Sequence, residues 1–370
     1  MNIAGSRQVT FRVDASTAIG TGHVMRCLAL ASSLRTAGYD CHFICREHLG
    51  HLGARIVWEG HKLSLLPAGI SVGSGAQAAL PGFSNWLGCD WQSDARQTVS
   101  ALGPAVTDWL VVDHYAIDFR WERELRPHCA NLMVVDDLAD RIHDCDLLLD
   151  QTPGRILAEY LGLGSPGMLA LIGPAYALMR PEFLRCRADS LGRRGQPGVH
   201  RILVSMGGVD QPNATAAVLR ALRTCHLPDH CLVTVVMGAG APWLVEVQAL
   251  AEGFSGRCEV QVDVLDMALL ALDCDLAIGA PGVASLERCC LGLPSILVVL
   301  AENQRSGGVA LREAGAADLL ESVDAIESGL APILMSYFEG NRGLQVSMAA
   351  RSIVDGLGVD RVVSEMESAG

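Results

Sequence analysis

Val13-Asp14-Ala15-Ser16-Thr17-Ala18-Ile19-Gly20-Thr21-Gly22-His23-Val24-Met25-Arg26-Cys27-Leu28 reads as the end of a strand, a loop and the start of a helix. The β-prone run Val9 to Val13 stops at Asp14, two glycines stand one residue apart, and an apolar helix runs on to about Ala37. Glycine admits positive φ and lets a ligand approach the backbone, while the free N–H groups of a helix start favour negative charge. The stretch suits an anionic ligand, or it makes a tight strand-to-helix turn and no more. His23 falls on the first turn, where the dipole disfavours imidazolium; a neutral ring there can accept a proton, or it is a polar first-turn residue. A dinucleotide fingerprint would continue to a third glycine where this loop ends in histidine.

The same pattern recurs along the chain. Cys41 to Cys45 and Leu63 to Leu66 read as strands, and Gly69 to Pro81 as a small-residue loop. Asp108-Trp109-Leu110-Val111-Val112-Asp113-His114-Tyr115 is an apolar run that turns polar at its end, as do Leu132 to Val135 before Asp136-Asp137 and Leu147 to Leu149 before Asp150-Gln151. Parallel strands with polar carboxyl ends, alternating with helices, indicate a doubly wound α/β domain over 1–180. The arginine- and glycine-rich stretch Pro181 to His200 reads as a linker. A second domain over 201–370 opens with the strand Arg201 to Ser205, the turn Met206-Gly207-Gly208-Val209-Asp210 and a helix capped near Asn213. Leu232 to Met237, Glu259 to Val262, Leu276 to Ile278 and Ser295 to Leu300 supply its further strands, and helices from Ala325 close it. The fold class is α/β, two doubly wound Rossmann-like domains facing a cleft.

Composition narrows the function. The chain has 370 residues, half of them hydrophobic, and a net charge of −13 with Lys62 as its only lysine, which argues against a nucleic-acid surface. No apolar run is long enough to span a bilayer, and Met1 to Gln8 lacks the apolar middle of a signal peptide. Thirteen cysteines without a CxxC pair read as free thiols of a cytoplasmic protein, and neither Cys41 with Cys45 nor Cys289 with Cys290 has zinc-ligand spacing.

Together, several phrases resemble one family. Asp14-Ala15-Ser16, Ile19 to Leu28, Val112-Asp113-His114-Tyr115, Asp136 to Arg141 and Asp146 to Gln151 are similar to the UDP-2,4-diacetamido-2,4,6-trideoxy-β-L-altropyranose hydrolases of pseudaminic acid biosynthesis. Ser205 to Asp210, Gly279-Ala280, Glu287 to Pro294 and Glu302-Asn303-Gln304 continue the resemblance over nearly the whole chain. It implies the two-domain GT-B architecture and metal-independent cleavage of the anomeric bond of a UDP-sugar, with inversion and water as acceptor. The chain is expected to be a cytoplasmic monomer with no cofactor.

The resemblance carries the catalytic base over to His23, which fits a neutral imidazole activating water at an oxocarbenium-like carbon. Asp14 positions water or orients His23, or caps the loop. Gly20 and Gly22, with Gly207 and Gly208 in the second half, open helix starts for the diphosphate. Asp113, His114 and Tyr115 contact the sugar's acetamido groups or end the sheet in solvent. Glu287 matches a ribose-binding glutamate of related enzymes, and Asn303 with Gln304 a substrate-binding pair, Asn303 being alternatively a helix cap. At Pro281-Gly282-Val283-Ala284-Ser285 the chain departs from the family's glycine-rich loop: Pro281 removes an N–H, and Val283 and Ala284 lack hydroxyls. A GT-B glycosyltransferase and a non-catalytic nucleotide-sugar-binding protein are the alternatives.

Overall fold

A computed structural model describes residues 7–69, 82–194, 198–225, 227–254 and 257–369. The loop expected over Gly69 to Pro81 lies, beyond Gly69 itself, outside the described residues. The chain divides into two compact units, Met1–Leu178 with Val359–Gly370, and Met179–Gly358.

The first unit is built on seven parallel strands: β1 (Arg7–Val13), β2 (Tyr39–Arg46), β3 (Lys62–Leu66), β4 (Thr107–Asp113), β5 (Cys129–Val135), β6 (Leu147–Asp150) and β7 (Leu169–Ile172). Their order is β3-β2-β1-β4-β5-β6-β7, so β1 pairs with β2 on one side and β4 on the other. Strands covered on both faces read as continuous apolar runs, and β4 shows why. Its Trp109 and Val111 enter one core with Phe11, Leu34 and Met133, and its Leu110 and Val112 enter another with Trp121 and Leu132. Helix α1 (Gly22–Thr36) buries Val24, Cys27, Leu28, Ala31 and Leu34, one face at helical spacing. The helices α2 (Gly53–Trp58), α3 (Trp91–Leu102) and α4 (Phe119–Leu125) follow.

The second unit repeats the plan with β8 (Arg201–Ser205), β9 (Leu232–Met237), β10 (Cys258–Val262), β11 (Leu276–Gly279), β12 (Ser295–Val298) and β13 (Asp318–Leu320), in the order β10-β9-β8-β11-β12-β13. Its helices are α5 (Pro181–Arg193), α6 (Ala214–Thr224), α7 (Leu244–Glu252), α8 (Met267–Leu272), α9 (Val283–Cys290), α10 (Arg305–Glu313), α11 (Ile326–Glu339) and α12 (Arg342–Ile353). In both sheets the order reverses beside the first strand, which places a crevice at the carboxyl ends of β1 and β4 and another at those of β8 and β11.

Two expected boundaries are corrected. Much of the stretch read as a linker is α5, with Pro181 at its first position, where a missing N–H costs nothing. Its arginines bind backbone carbonyls of their own unit: Arg187 holds Val354 and Arg351, and Ser190 donates to the Leu291 carbonyl at 2.8 Å. The last helix, α13 (Gly358–Ala369), belongs to the first unit, since Val359, Val362, Val363 and Met366 join the core of Phe11 and Leu34. All thirteen cysteines are free thiols. No helix among the described residues is long and apolar enough to cross a membrane.

Candidate active site

In the first unit the pairing of Val13 with Asp113 brings the carboxyl ends of β1 and β4 side by side. The loop after β1 turns at Gly20, whose φ of +82° suits glycine, and a Cβ there or at Gly22 would meet nothing within 4 Å. The start of α1 has no side-chain cap and no acidic residue in its first turn. Among the described residues no side chain takes up its first N–H groups, the arrangement that can receive an anion.

His23 on that first turn is held by Asp113. Its Nδ1 lies 2.6 Å from Asp113 Oδ1, and Arg26, one turn on, clamps the same carboxylate through Nε at 2.6 Å and Nη2 at 2.7 Å. Burial alone would raise the Asp113 pKa, but Arg26 and His23 outweigh it and hold the carboxyl well below its usual range. An ionised acceptor on Nδ1 places the proton there and leaves Nε2 as the lone-pair nitrogen. Nε2 has no hydrogen-bond partner among the described residues. Arg26 Nη1 also reaches Asp137 Oδ2 at 3.0 Å. Burial first, then Asp137, push the Tyr115 hydroxyl well above its ordinary pKa, so it stays protonated. The second Asp137 oxygen is buried and has no partner among the described residues.

Asp14 does not hold His23, contrary to one reading of the sequence. Residues 12 and 14 share a strand face, and Arg12 Nη1 takes Asp14 Oδ1 at 2.7 Å together with the Arg46 N–H at 2.6 Å. His114 turns to the same place, with Nε2 3.3 Å from Asp14 Oδ2 and Nδ1 accepting the Ala116 N–H, so both ring nitrogens face protein groups. Burial lowers the His114 pKa, and Asp14 only partly restores it. Asp113 too is spent on protein groups. Of the expected Asp113-His114-Tyr115 contact set, Tyr115 is left beside the His23 ring, centroids 4.7 Å apart and edge to face. Asp136 and Asp150 share the Tyr160 hydroxyl and hold the Ala139 and Thr152 N–H groups, which makes them loop anchors.

In the second unit Gly207 has φ +92° and open space around it. The helix start expected after Gly207 and Gly208 is already capped, because both Asp210 oxygens accept the Ala214 and Thr215 N–H groups at 2.9 and 2.8 Å. Gly208 gives its carbonyl to the Gly238 N–H. The start of α9 behaves differently: Gly282 is its cap and Ser285 Oγ returns to the Gly282 carbonyl at 2.7 Å. Glu287 on α9 accepts from Arg180 Nε at 2.8 Å, so one of its oxygens is engaged within the unit. Asn303 is exposed, whereas Gln304 accepts the Leu300 N–H on its amide oxygen and so closes the turn.

Sequence reasoning passed over Arg26, Phe83 and Trp86, and weighed Asp137 only as a strand-end carboxylate. The spacing of three between His23 and Arg26 was the available signal, since it puts both on one helix face.

No family model matches the chain. It is 23% identical over 302 residues to an uncharacterized protein of Methanocaldococcus jannaschii, covering 80% of this chain and only 57% of that relative. It is 22% identical over 245 residues to the UDP-2,4-diacetamido-2,4,6-trideoxy-beta-L-altropyranose hydrolase of Campylobacter jejuni, covering 66% of this chain and 74% of the relative. MurG of Acinetobacter baumannii superposes with a TM-score of 0.62 over 98% of this chain and 99% of that one, at 16% identity. The fold is GT-B. The parallel α/β units expected from the strand-end pattern are the two domains of that fold.

Proposed function

We propose that the chain hydrolyses a UDP-linked 2,4-diacetamido-2,4,6-trideoxy sugar, the altropyranose that its motifs imply, releasing UDP and the free sugar with inversion. The observation that carries the reading is the His23–Asp113 pair beside an uncapped helix start. Asp113 keeps the proton on Nδ1, so Nε2 takes a proton from water as the oxygen attacks the anomeric carbon. The bond from that carbon to the diphosphate oxygen breaks, and the electron pair leaves with UDP, a good leaving group that needs no general acid. The uncapped N–H groups at the start of α1 favour the charge that grows on it. The similarity to the Campylobacter hydrolase supports water as acceptor. The likeness to MurG keeps a glycosyltransferase with the same fold as the competing reading.

Purified protein given the UDP-sugar, with EDTA and no acceptor, is expected to release UDP, and NMR of the first product is expected to show the inverted anomer. His23→Ala is expected to lower kcat by about 10²–10⁴-fold. UDP release that appears only when a sugar or lipid acceptor is added would move the assignment to a transferase.

A further inference from the structure

Phe83 and Trp86 stand on a short 3-10 turn, Gly82–Leu87, that Leu87 anchors in a hydrophobic core beside Leu110 and Trp121. Neither ring enters that core or the one around Phe11, and both are half-buried. They gather instead on the candidate base. Trp86 stacks on Tyr115 at 5.3 Å with 21° between the planes, and Phe83 lies 4.7 Å from both rings. The edges of Trp86 and Tyr115 frame His23, at centroid distances of 6.0 and 4.7 Å. Large aromatic surface left out of the core but packed on a polar, hydrogen-bonded ring is surface kept for a ligand that has an apolar side of its own.

We propose that Phe83 and Trp86, with the Tyr115 ring, form an aromatic platform that takes the apolar face and acyl methyl groups of an N-acylated deoxy-sugar and so sets sugar specificity beside His23. The proposal rests on the nucleotide-sugar reading given above and adds the residues that choose the sugar. The chemistry favours this class. The methyl of an acetamido group and a C6 methyl carry no hydrogen-bonding group and lose nothing against an aromatic face. A hydroxyl placed there gives up water without gaining a partner. An apolar surface of this kind discriminates by about 10–10²-fold, which suffices to rank related sugars.

The test compares KM and kcat for UDP-2,4-diacetamido-2,4,6-trideoxyhexose and UDP-N-acetylglucosamine in the wild type, Trp86→Ala, Trp86→Phe and Trp58→Ala. Trp58 is 73% exposed on another helix and serves as the control. Trp86→Ala is expected to raise KM for the diacetamido sugar by about tenfold and to reduce the preference for it by a similar factor. Trp86→Phe keeps a ring and is expected to retain most of the preference, and Trp58→Ala all of it. An unchanged preference in Trp86→Ala overturns the platform while leaving the hydrolase intact. If the wild type turns over neither substrate, the hydrolase reading fails, and saturation-transfer NMR with the free 2,4-diacetamido-2,4,6-trideoxyhexose decides the platform alone. Transfer to the acetamido and C6 methyls that is lost in Trp86→Ala upholds it. No transfer to the wild type, or equal transfer to Trp86→Ala, overturns it.

Discussion

Asp113 spends both its oxygens on His23 and Arg26, and that double engagement makes the tautomer of His23 a property of the protein rather than of the solvent. Asp113→Asn removes the charge and offers an amide that can donate to Nδ1, which moves the ring proton to Nε2, the wrong nitrogen for a base. Turnover is expected to fall on the order of 10²–10⁴-fold with KM changed far less, measured as initial rates on protein whose circular dichroism matches the wild type. A wild-type kcat in Asp113→Asn would remove Asp113 from the mechanism. The sequence already singled out His23 and Asp113, because a histidine opening a helix after two glycines and an acid closing an apolar strand are local signals. Which acid meets the histidine is not local. Asp14 stands nearer in sequence, yet Arg12 on the same strand face claims it, and only the β1–β4 register brings Asp113 across. Phe83 and Trp86 were illegible for a related reason: their stretch has no periodicity, and their partners come from a strand end and a helix start.

Among the strands, β2 carries a titration that the fold must bear. His42 is covered by neighbouring elements, and burial first, then the Lys62 charge, lower its pKa from 6.5 to about 4. An unfolded chain takes up that proton as pH falls through 6.5 and the folded one does not until about 4, so the unfolded state binds more protons across this window. Stability from this group is therefore complete above pH 6.5 and drains away between 6.5 and 4, with His61 and His114 displaced in the same direction. The depressed carboxyls of Asp14 and Asp113 act later, as pH falls below 3.8. Urea midpoints are expected to drop from pH 7 to pH 4.5, and His42→Gln to flatten part of that slope. Equal slopes in the two proteins would show that β2 contributes nothing to acid sensitivity. The strands themselves were readable because a parallel sheet covered on both faces needs uninterrupted apolar runs. Helix α5 was not, because its arginines resemble linker composition until one sees that they hold carbonyls at the ends of neighbouring elements.

The two units are not successive halves of the chain. The second is inserted into the first, whose core closes only with α13. Apolar spacing can mark a buried helix face but does not name the core it enters, so the helices from Ala325 onward were all assigned to the second domain. Removing Val359–Gly370 takes four buried side chains from the first unit. At roughly 1.5–3 kcal/mol for each, the loss rivals the whole stability of a domain. The truncated protein is expected to show an earlier urea transition for the first unit than the full chain does and an unchanged one for the second, and an unshifted first-unit transition would contradict this. The insertion also orders events on the ribosome. Met179–Gly358 is 180 residues long, and all of them leave the exit tunnel after the seven-stranded sheet has been made and before the helix that seals it. At roughly 5–20 residues per second the nascent first unit waits about 10–40 s with its core uncovered, an interval in which a chaperone has an apolar surface to hold.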